Sequence, residues 1–392
     1  LFYNFYWVLI SYITGLYYTY NPNRQDILSS RIFKHLLTSS LALIFIYFSG
    51  ILTSLFIKQY TNFVFFYSFL KISFISYIFH SLFQKAFSVY GSTNLDWIIV
   101  SDKEVYKTLE AMLYSSKSAV TLYNYTNYED IDYNIKPAGI IFSDFNYLNI
   151  YLKNITVKNE KLEVYELVEW CEKFLCRIPS SFNSNNFLEL NFLRLKRNKL
   201  SLIIKRIADF IFALILFIIS MPLLTISSLF IIIEDRGPIL YSQKRVGLRG
   251  KIYTIYKLRS MVVNSELQGA QWASKNDKRI TKVGRILRAL RIDEIPQLFS
   301  VLIGDMSLIG PRPERPEFVE ILEKKISNYR LREKIKPGIS GWAQVNYPYG
   351  SSLLDSKNKL TYDIYYLYNS SLLLDVLIFL KTIRVVFTAK GT

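Results

Sequence analysis

The sequence predicts a membrane-associated α/β chain in three parts. Apolar helices come first, a small α/β unit follows, and a mainly helical, basic unit with one further apolar segment ends the chain. Three observations predict this. Aromatic-rich, nearly uncharged runs fill the first 85 residues; short β-type runs alternate with helical periodicity to about residue 180; and from Glu234 onward Gly-Pro turns and Arg-rich clusters replace the apolar runs.

The overall balance agrees with a mixed chain. Of 392 residues, 51% are hydrophobic and 16% aromatic, with a mean hydropathy of +0.18. Those values are high for a wholly aqueous protein and low for a transporter built only of spanning helices. The formal net charge of +17 suits nucleic acid, an anionic membrane surface or a phosphorylated substrate. The basic residues bunch beside apolar runs and Gly-Pro-Arg loops, which favours headgroups and phosphates. No nucleic-acid recognition module is visible. Cys171 and Cys176, five apart on a helical stretch, do not share a face and read as reduced core thiols. With two His and two Cys a zinc site is not expected, whereas a hard cation held by carboxylates and phosphates remains open.

Residues 1–85 read as three spanning helices, Leu1–Tyr20, Leu36–Ile57 and Phe63–Phe83. Each is about long enough for a ~30 Å hydrocarbon core, and Tyr and Trp crowd their ends. Arg24, Arg31 and Lys34 in the first loop and Lys85 after the third span place those segments in the cytoplasm by the positive-inside rule. The chain starts at Leu1, already in an apolar stretch, and is read as trimmed, with the first of four spans upstream.

Residues 94–180 read as a small α/β unit. Trp97–Val100 and Ala138–Phe142 are expected strands, a helix runs through Val105, Leu109 and Leu113, and Val164–Leu175 has the period of an amphipathic helix. The pattern is that of a degenerate Rossmann-like unit. Its first turn, Ser101-Asp102-Lys103, lacks the glycines of a dinucleotide site. Ser180–Asn186 reads as a linker, and 187–392 as the third unit. Its basic lead-in, Arg194 to Arg206, suits anionic headgroups.

Phe210–Ile233 is an uncharged run of 24 residues, long enough to span. Pro222 interrupts it and removes a backbone hydrogen bond, which Ser220 can compensate. Cations flank both ends: Lys205 and Arg206 before, Lys244, Arg245 and Arg249 after. A re-entrant helix–bend–helix that enters and leaves by one face satisfies both features; an ordinary Pro-kinked span is the competing reading.

The chemistry-bearing clusters follow. They are Gln243-Lys244-Arg245-Val246-Gly247, Tyr256-Lys257-Leu258-Arg259-Ser260-Met261, Asp293-Glu294-Ile295-Pro296-Gln297-Leu298, Gly304-Asp305-Met306-Ser307-Leu308-Ile309-Gly310-Pro311-Arg312-Pro313 and Pro337-Gly338-Ile339-Ser340-Gly341-Trp342-Ala343-Gln344-Val345-Asn346. Asp293 and Glu294 end a basic helix that carries Arg288, and Arg312 stands between two prolines. A carboxylate among guanidiniums is expected to stay ionised, because nearby positive charge lowers its pKa. The same guanidiniums can clamp a phosphoryl group. One carboxylate then suits a nucleophile toward phosphorus and the other a Mg²⁺ ligand, a combination fitted to phosphoryl transfer at a diphosphate. An isolated Asp-Glu pair is more often a solvated helix end; the surrounding arginines and the Gly-Pro-Arg-Pro turn set this one apart.

Through this ordered series, Glu234 to about Phe387 resembles the bacterial sugar transferases, the polyprenyl-phosphate phosphoglycosyl transferases with a single membrane-embedded catalytic hairpin. The layout upstream resembles the larger members, with four spans and a Rossmann-like domain. The resemblance implies a multi-pass protein of the bacterial inner membrane whose catalytic domain faces the cytoplasm. It implies transfer of a sugar-1-phosphate from a UDP-sugar to undecaprenyl phosphate, with release of UMP, as the first membrane step of exopolysaccharide, capsule or O-antigen synthesis. Asp293 matches the nucleophile that forms a phospho-sugar–aspartyl intermediate, and Glu294 the Mg²⁺ ligand. Arg288 and Arg312 match phosphate-binding arginines, with Lys257 and Arg259 as companions. Ser220 and Pro222 match the hairpin break. A homodimer is expected by analogy with the larger members. The chain departs from the pattern at Met221, which separates Ser220 from Pro222, at Ser340 in place of a frequent Thr, and at Tyr347-Pro348-Tyr349 after Asn346. A catalytically silent scaffold for polysaccharide assembly is the alternative, and the intact set of Arg288, Asp293, Glu294 and Arg312 argues against it.

Overall fold

A computed structural model describes residues 95–116, 120–125, 137–143, 163–179, 199–263, 265, 277–348, 350 and 352–387. The three expected N-terminal spans, the linker at 180–186 and the lead-in up to residue 198 lie outside the described residues. Contacts divide the chain into two compact units, Leu1–Asp96 with Ala119–Thr121, and Trp97–Ser118 with Leu122–Thr392. The second holds nearly all the described elements.

The α/β portion is a four-stranded sheet in the order β2-β1-β3-β4, with β1 (Leu95–Val100), β2 (Val120–Tyr125), β3 (Gly139–Phe142) and β4 (Glu163–Glu166). β3 pairs in parallel with both β1 and β4. Helix α1 (Lys103–Ser116) follows β1. Ile98, Val100, Ile140 and Phe142 form the sheet's buried core, and such continuous apolar runs are what a parallel sheet covered on both faces requires. One reading is corrected here. Val164–Glu166 belongs to a strand, and the helix begins only at α2 (Leu167–Trp170), which continues as a π-helical turn, Cys171–Leu175. β2 carries the β-branched and aromatic residues of a strand but was not expected.

The apolar segment is one long helix, α3 (Lys199–Asp235), 37 residues or about 55 Å at 1.5 Å per residue. It is long and apolar enough to cross a membrane. The interruption expected at Ser220 and Pro222 is absent as a break in helical structure, since the helix continues through Pro222. The Ser220 hydroxyl donates to the Phe217 carbonyl at 3.0 Å; Thr225 and Ser228 likewise donate to the carbonyls of Met221 and Leu224. Every one of these hydroxyls is satisfied within the helix, as apolar surroundings demand.

One face of α3 is docked along its length. Near its start Lys205 donates to Asp375 at 2.6 Å, and Arg206 caps the carbonyls of Val301 and Leu302 at 2.6 and 2.8 Å. These two cations therefore serve the protein itself, where headgroup contact was expected. Asp209 accepts from the Ser307 hydroxyl at 2.7 Å and from the Leu308 amide at 3.2 Å. Ala213 shares an apolar cluster with Tyr253, Ile255, Leu298, Val301 and Met306, whereas Ile231 clusters with Leu258, Leu287 and Ile292. Tyr253, Ile255 and Leu258 all lie on β6 (Ile252–Leu258), which pairs antiparallel with β5 (Leu240–Val246). One short hairpin thus lies alongside both halves of the helix. The opposite face is an apolar stripe, with Ile218, Ile219 and Ile233 61%, 70% and 74% exposed.

The remaining elements build the floor of the candidate site. They are α4 (Lys282–Ala289), α5 (Leu298–Ile303), a parallel pair β7 (Ser307–Ile309) and β8 (Gly338–Ser340), α6 (Pro316–Lys325), α7 (Trp342–Asn346), α8 (Leu353–Asn369) and α9 (Leu372–Phe387). Gly310 and Gly338 meet backbone to backbone beside the β7–β8 pair, and a Cβ on either would strike the other's main chain or its neighbours.

Candidate active site

The end of α3 leads directly to the acidic pair. The Glu234 carboxylate accepts from the Lys282 and Val283 amides, at 2.8 and 3.3 Å, so a negative charge caps the positive end of α4. The Thr281 hydroxyl accepts from the Gly284 amide at 2.9 Å and completes that cap. α4 carries Arg288 in its last turn. Arg291 then adopts a left-handed conformation, φ 58°, at a cost of roughly 1–3 kcal/mol for a side-chain-bearing residue. That reversal starts the 3-10 turn Ile292–Gln297 and turns Asp293 and Glu294 inward, each only 7% exposed.

Glu294 is the hub. Arg312 grips it with both terminal nitrogens, at 2.6 and 3.3 Å, Lys257 of β6 donates to it at 2.9 Å, and Arg291 stands 3.7 Å away. Burial opposes its ionisation, but Arg312 and Lys257 outweigh burial and hold the carboxyl well below the usual carboxylate range. Asp293 differs. Burial, then the adjacent Glu294, push its carboxyl above its ordinary value, against the pull of Lys257, Arg288 and Arg291. Nearby positive charge therefore sets the balance at Glu294, whereas at Asp293 lost hydration is the larger effect. Asp293 Oδ1 is buried without a hydrogen-bond partner. An orphaned carboxylate oxygen is costly, and such groups cluster where chemistry needs them.

Of the residues expected at the site, Asp293, Glu294, Lys257 and Arg312 come into direct contact or adjacency. Arg288 acts on Asp293 through space, and its side chain makes no hydrogen bond or ion pair among the described residues. Arg259 is not brought to them: it pairs with Asp235 at the end of α3. Ser220 and Pro222 lie within α3. Arg291 went unassigned from sequence, although its place three residues before Glu294 was the signal. Four cations, Lys257, Arg288, Arg291 and Arg312, thus face two carboxylates. The surplus of positive charge suits a ligand with at least two negative charges, and the fork of Arg312 suits phosphate oxygens.

No group of three or more His, Cys, Asp or Glu side chains is placed to hold a metal ion among the described residues. The donor set on offer is one unpartnered oxygen of Asp293 and a Glu294 carboxylate shared with cations that a diphosphate would also attract. One or two carboxylates with substrate phosphates are the usual holding for Mg²⁺, so the residues fit a cation that arrives with a diphosphate rather than one bound alone.

Known proteins resemble the part of the chain that carries this site. The bacterial sugar transferase family model matches residues 200–389. A UDP-N-acetylgalactosamine-undecaprenyl-phosphate N-acetylgalactosaminephosphotransferase of Aeromonas hydrophila is 48% identical over 188 residues, 48% of this chain and 44% of that protein. A putative undecaprenyl-phosphate N-acetylgalactosaminyl 1-phosphate transferase of Bacillus subtilis (strain 168) is 50% identical over 131 residues, 33% of this chain and 73% of that protein. A UDP-glucose:undecaprenyl-phosphate glucose-1-phosphate transferase of Escherichia coli (strain K12) is 35% identical over 191 residues, 48% of this chain and 41% of that protein. The chain therefore spans under half the length of the Aeromonas and Escherichia relatives, and most of the shorter Bacillus one. The matched region is the one that contains α3, the acidic pair and the Arg312 loop, and the chain belongs to the bacterial sugar transferase family.

Proposed function

We propose that this chain transfers a sugar-1-phosphate from a UDP-sugar to undecaprenyl phosphate at the inner face of the bacterial inner membrane. The observation that carries the reading is the buried Asp293–Glu294 pair, encircled by Lys257, Arg288, Arg291 and Arg312, next to a helix with an exposed apolar stripe. A water-soluble donor and a lipid acceptor meet only at such a boundary.

In the proposed reaction the donor's diphosphate takes up Arg312, Arg288 and Lys257. A carboxylate oxygen of Asp293 attacks the β-phosphorus, the bond from that phosphorus to the bridging oxygen breaks, and UMP leaves. A phosphate oxygen of undecaprenyl phosphate then attacks the same phosphorus, the acyl phosphate bond breaks, and the Asp293 carboxylate is restored. The cations stabilise charge as it builds on the departing phosphate. Glu294, eased from Arg312 by the donor, would hold Mg²⁺ together with phosphate oxygens; that ion would supply further neutralisation of the diphosphate.

The re-entrant course of α3 belongs to the same proposal. A straight span would surround residues 213–231 with lipid, yet β6 and its charged hairpin share apolar clusters with Ala213 and Ile231. Lys244, Arg245 and Lys257 on that hairpin are too costly to place in hydrocarbon. A helix that dips into one leaflet, apolar stripe outward, meets both constraints.

The test is UMP release by the full chain in detergent, with undecaprenyl phosphate, Mg²⁺ and a panel of UDP-sugars. UDP-N-acetylgalactosamine comes first in the panel, because the two relatives named for N-acetylgalactosamine transfer share 48% and 50% identity. At least one donor is expected to yield UMP, and Asp293→Asn to lower the rate by about 1,000-fold or more. No UMP from any donor, or an active Asp293→Asn, would remove the assignment.

A further inference from the structure

Four successive carbonyls, Pro311 to Glu314, are each taken by a donor from another part of the chain. The Pro311 carbonyl accepts from the Gly338 amide at 2.9 Å and that of Glu314 from the Val246 amide at 2.9 Å. The two between them are held by side chains: Arg332 Nη2 donates to the Arg312 carbonyl at 2.7 Å, and Arg245 Nη1 to the Pro313 carbonyl at 2.8 Å. Both guanidiniums are largely buried, 10% and 14% exposed. Each is fixed in turn. Arg332 donates to the Tyr329 hydroxyl at 2.6 Å and pairs with the buried Asp363 at 2.9 Å. Arg245 donates to Gln243 and lies 3.8 Å from Glu314.

A guanidinium is expensive to bury, and one spent on a main-chain carbonyl gains little net stability. Two of them on adjacent carbonyls, in a loop whose prolines already restrict φ, leave the backbone under Arg312 almost no freedom. We propose that Arg245 and Arg332 are positioning residues for Arg312. They hold its backbone so that the guanidinium meets the donor's diphosphate without a search. The proposal rests on the transferase reading above. A rigid clamp matters because a displacement of about 1 Å at a reacting group can cost roughly 100-fold in rate.

The test is a double-mutant comparison on the full chain, with UMP release as the readout. Arg245→Gln and Arg332→Lys are made in wild-type and in Arg312→Gln backgrounds. Arg332→Lys keeps a charge opposite Asp363, so the fold is retained, but it lacks the fork needed to reach Tyr329, Asp363 and the Arg312 carbonyl together. In the wild-type background each is expected to lower donor kcat/KM by roughly 10–100-fold, with the lipid acceptor's KM within about twofold. In the Arg312→Gln background the same changes should cost less than about threefold, because the group they position is gone. Equal losses in both backgrounds, or unchanged kinetics in the wild-type background, would overturn the positioning role alone. A wild-type chain that released no UMP would instead defeat the transferase reading, and this role with it.

Discussion

Arg312→Gln, Lys257→Met and their combination probe how Glu294 is kept ionised while buried. Arg312 supplies one short bond at 2.6 Å and one longer contact at 3.3 Å, Lys257 supplies one bond at 2.9 Å, and Arg291 remains at 3.7 Å. A hydrogen bond to a charged group contributes about 1.5–3 kcal/mol, so each single substitution should destabilise by about 2 kcal/mol. For a domain of this size that is a fall of roughly 4–8 °C in Tm. The double substitution leaves a nearly unpaired buried carboxylate, whose cost is about 3–5 kcal/mol beyond what a single loss shows while a partner survives. Its fall in Tm should therefore exceed the sum of the singles. In a Glu294→Gln background the Arg312→Gln cost should shrink to under about 0.5 kcal/mol. Thermal unfolding of the full chain in detergent, at one scan rate, reads the wild type and all five variants. Strictly additive losses, or an Arg312→Gln cost unchanged by Glu294→Gln, would refute Glu294 as their shared partner.

Two further outcomes are expected. Burial pushes the Cys171 thiol up to about 12, so it should stay protonated and resist iodoacetamide at pH 8 until the protein unfolds; rapid alkylation of the native chain at Cys171 would contradict the packing around it. A nitroxide at position 219, placed in a Cys176→Ser chain reconstituted in vesicles, should be relaxed by oxygen and not by a water-soluble nickel chelate. Free access of the chelate would show that the stripe of α3 faces water.

The site was legible in the sequence where local order dictates it. Asp293, Glu294 and Arg288 sit in one helix-and-turn segment, and the prolines on either side of Arg312 announce a fixed loop. The resemblance named Lys257 and Arg259 together as companions of the phosphate-binding arginines. β6 ends at Leu258, however, and Arg259 leaves the strand to reach Asp235, so only Lys257 meets Glu294. Arg245 and Arg332 could not be found this way: 67 and 20 residues separate them from Arg312, and only tertiary packing brings them to its loop. In the α/β portion the apolar spacing of Val164–Leu175 fits a helix throughout, yet Glu163–Glu166 extends to pair with β3. Backbone hydrogen bonds to a neighbouring strand overrode the local period there. The helical course of α3 through Pro222 has a related cause, since docking against α5 and β6 clusters stabilises a helix that intrinsic propensity alone would interrupt.

The central claim is a covalent bond between Asp293 and phosphorus. Its most direct measurement is the mass of the intact chain after brief incubation with a UDP-sugar that supports UMP release, Mg²⁺ present and undecaprenyl phosphate left out, followed by peptide mapping. The expected result is an added sugar-1-phosphate on the peptide that contains Asp293, discharged when the lipid acceptor is supplied. An active chain whose mass never changes, or an adduct mapped to another residue, would contradict it.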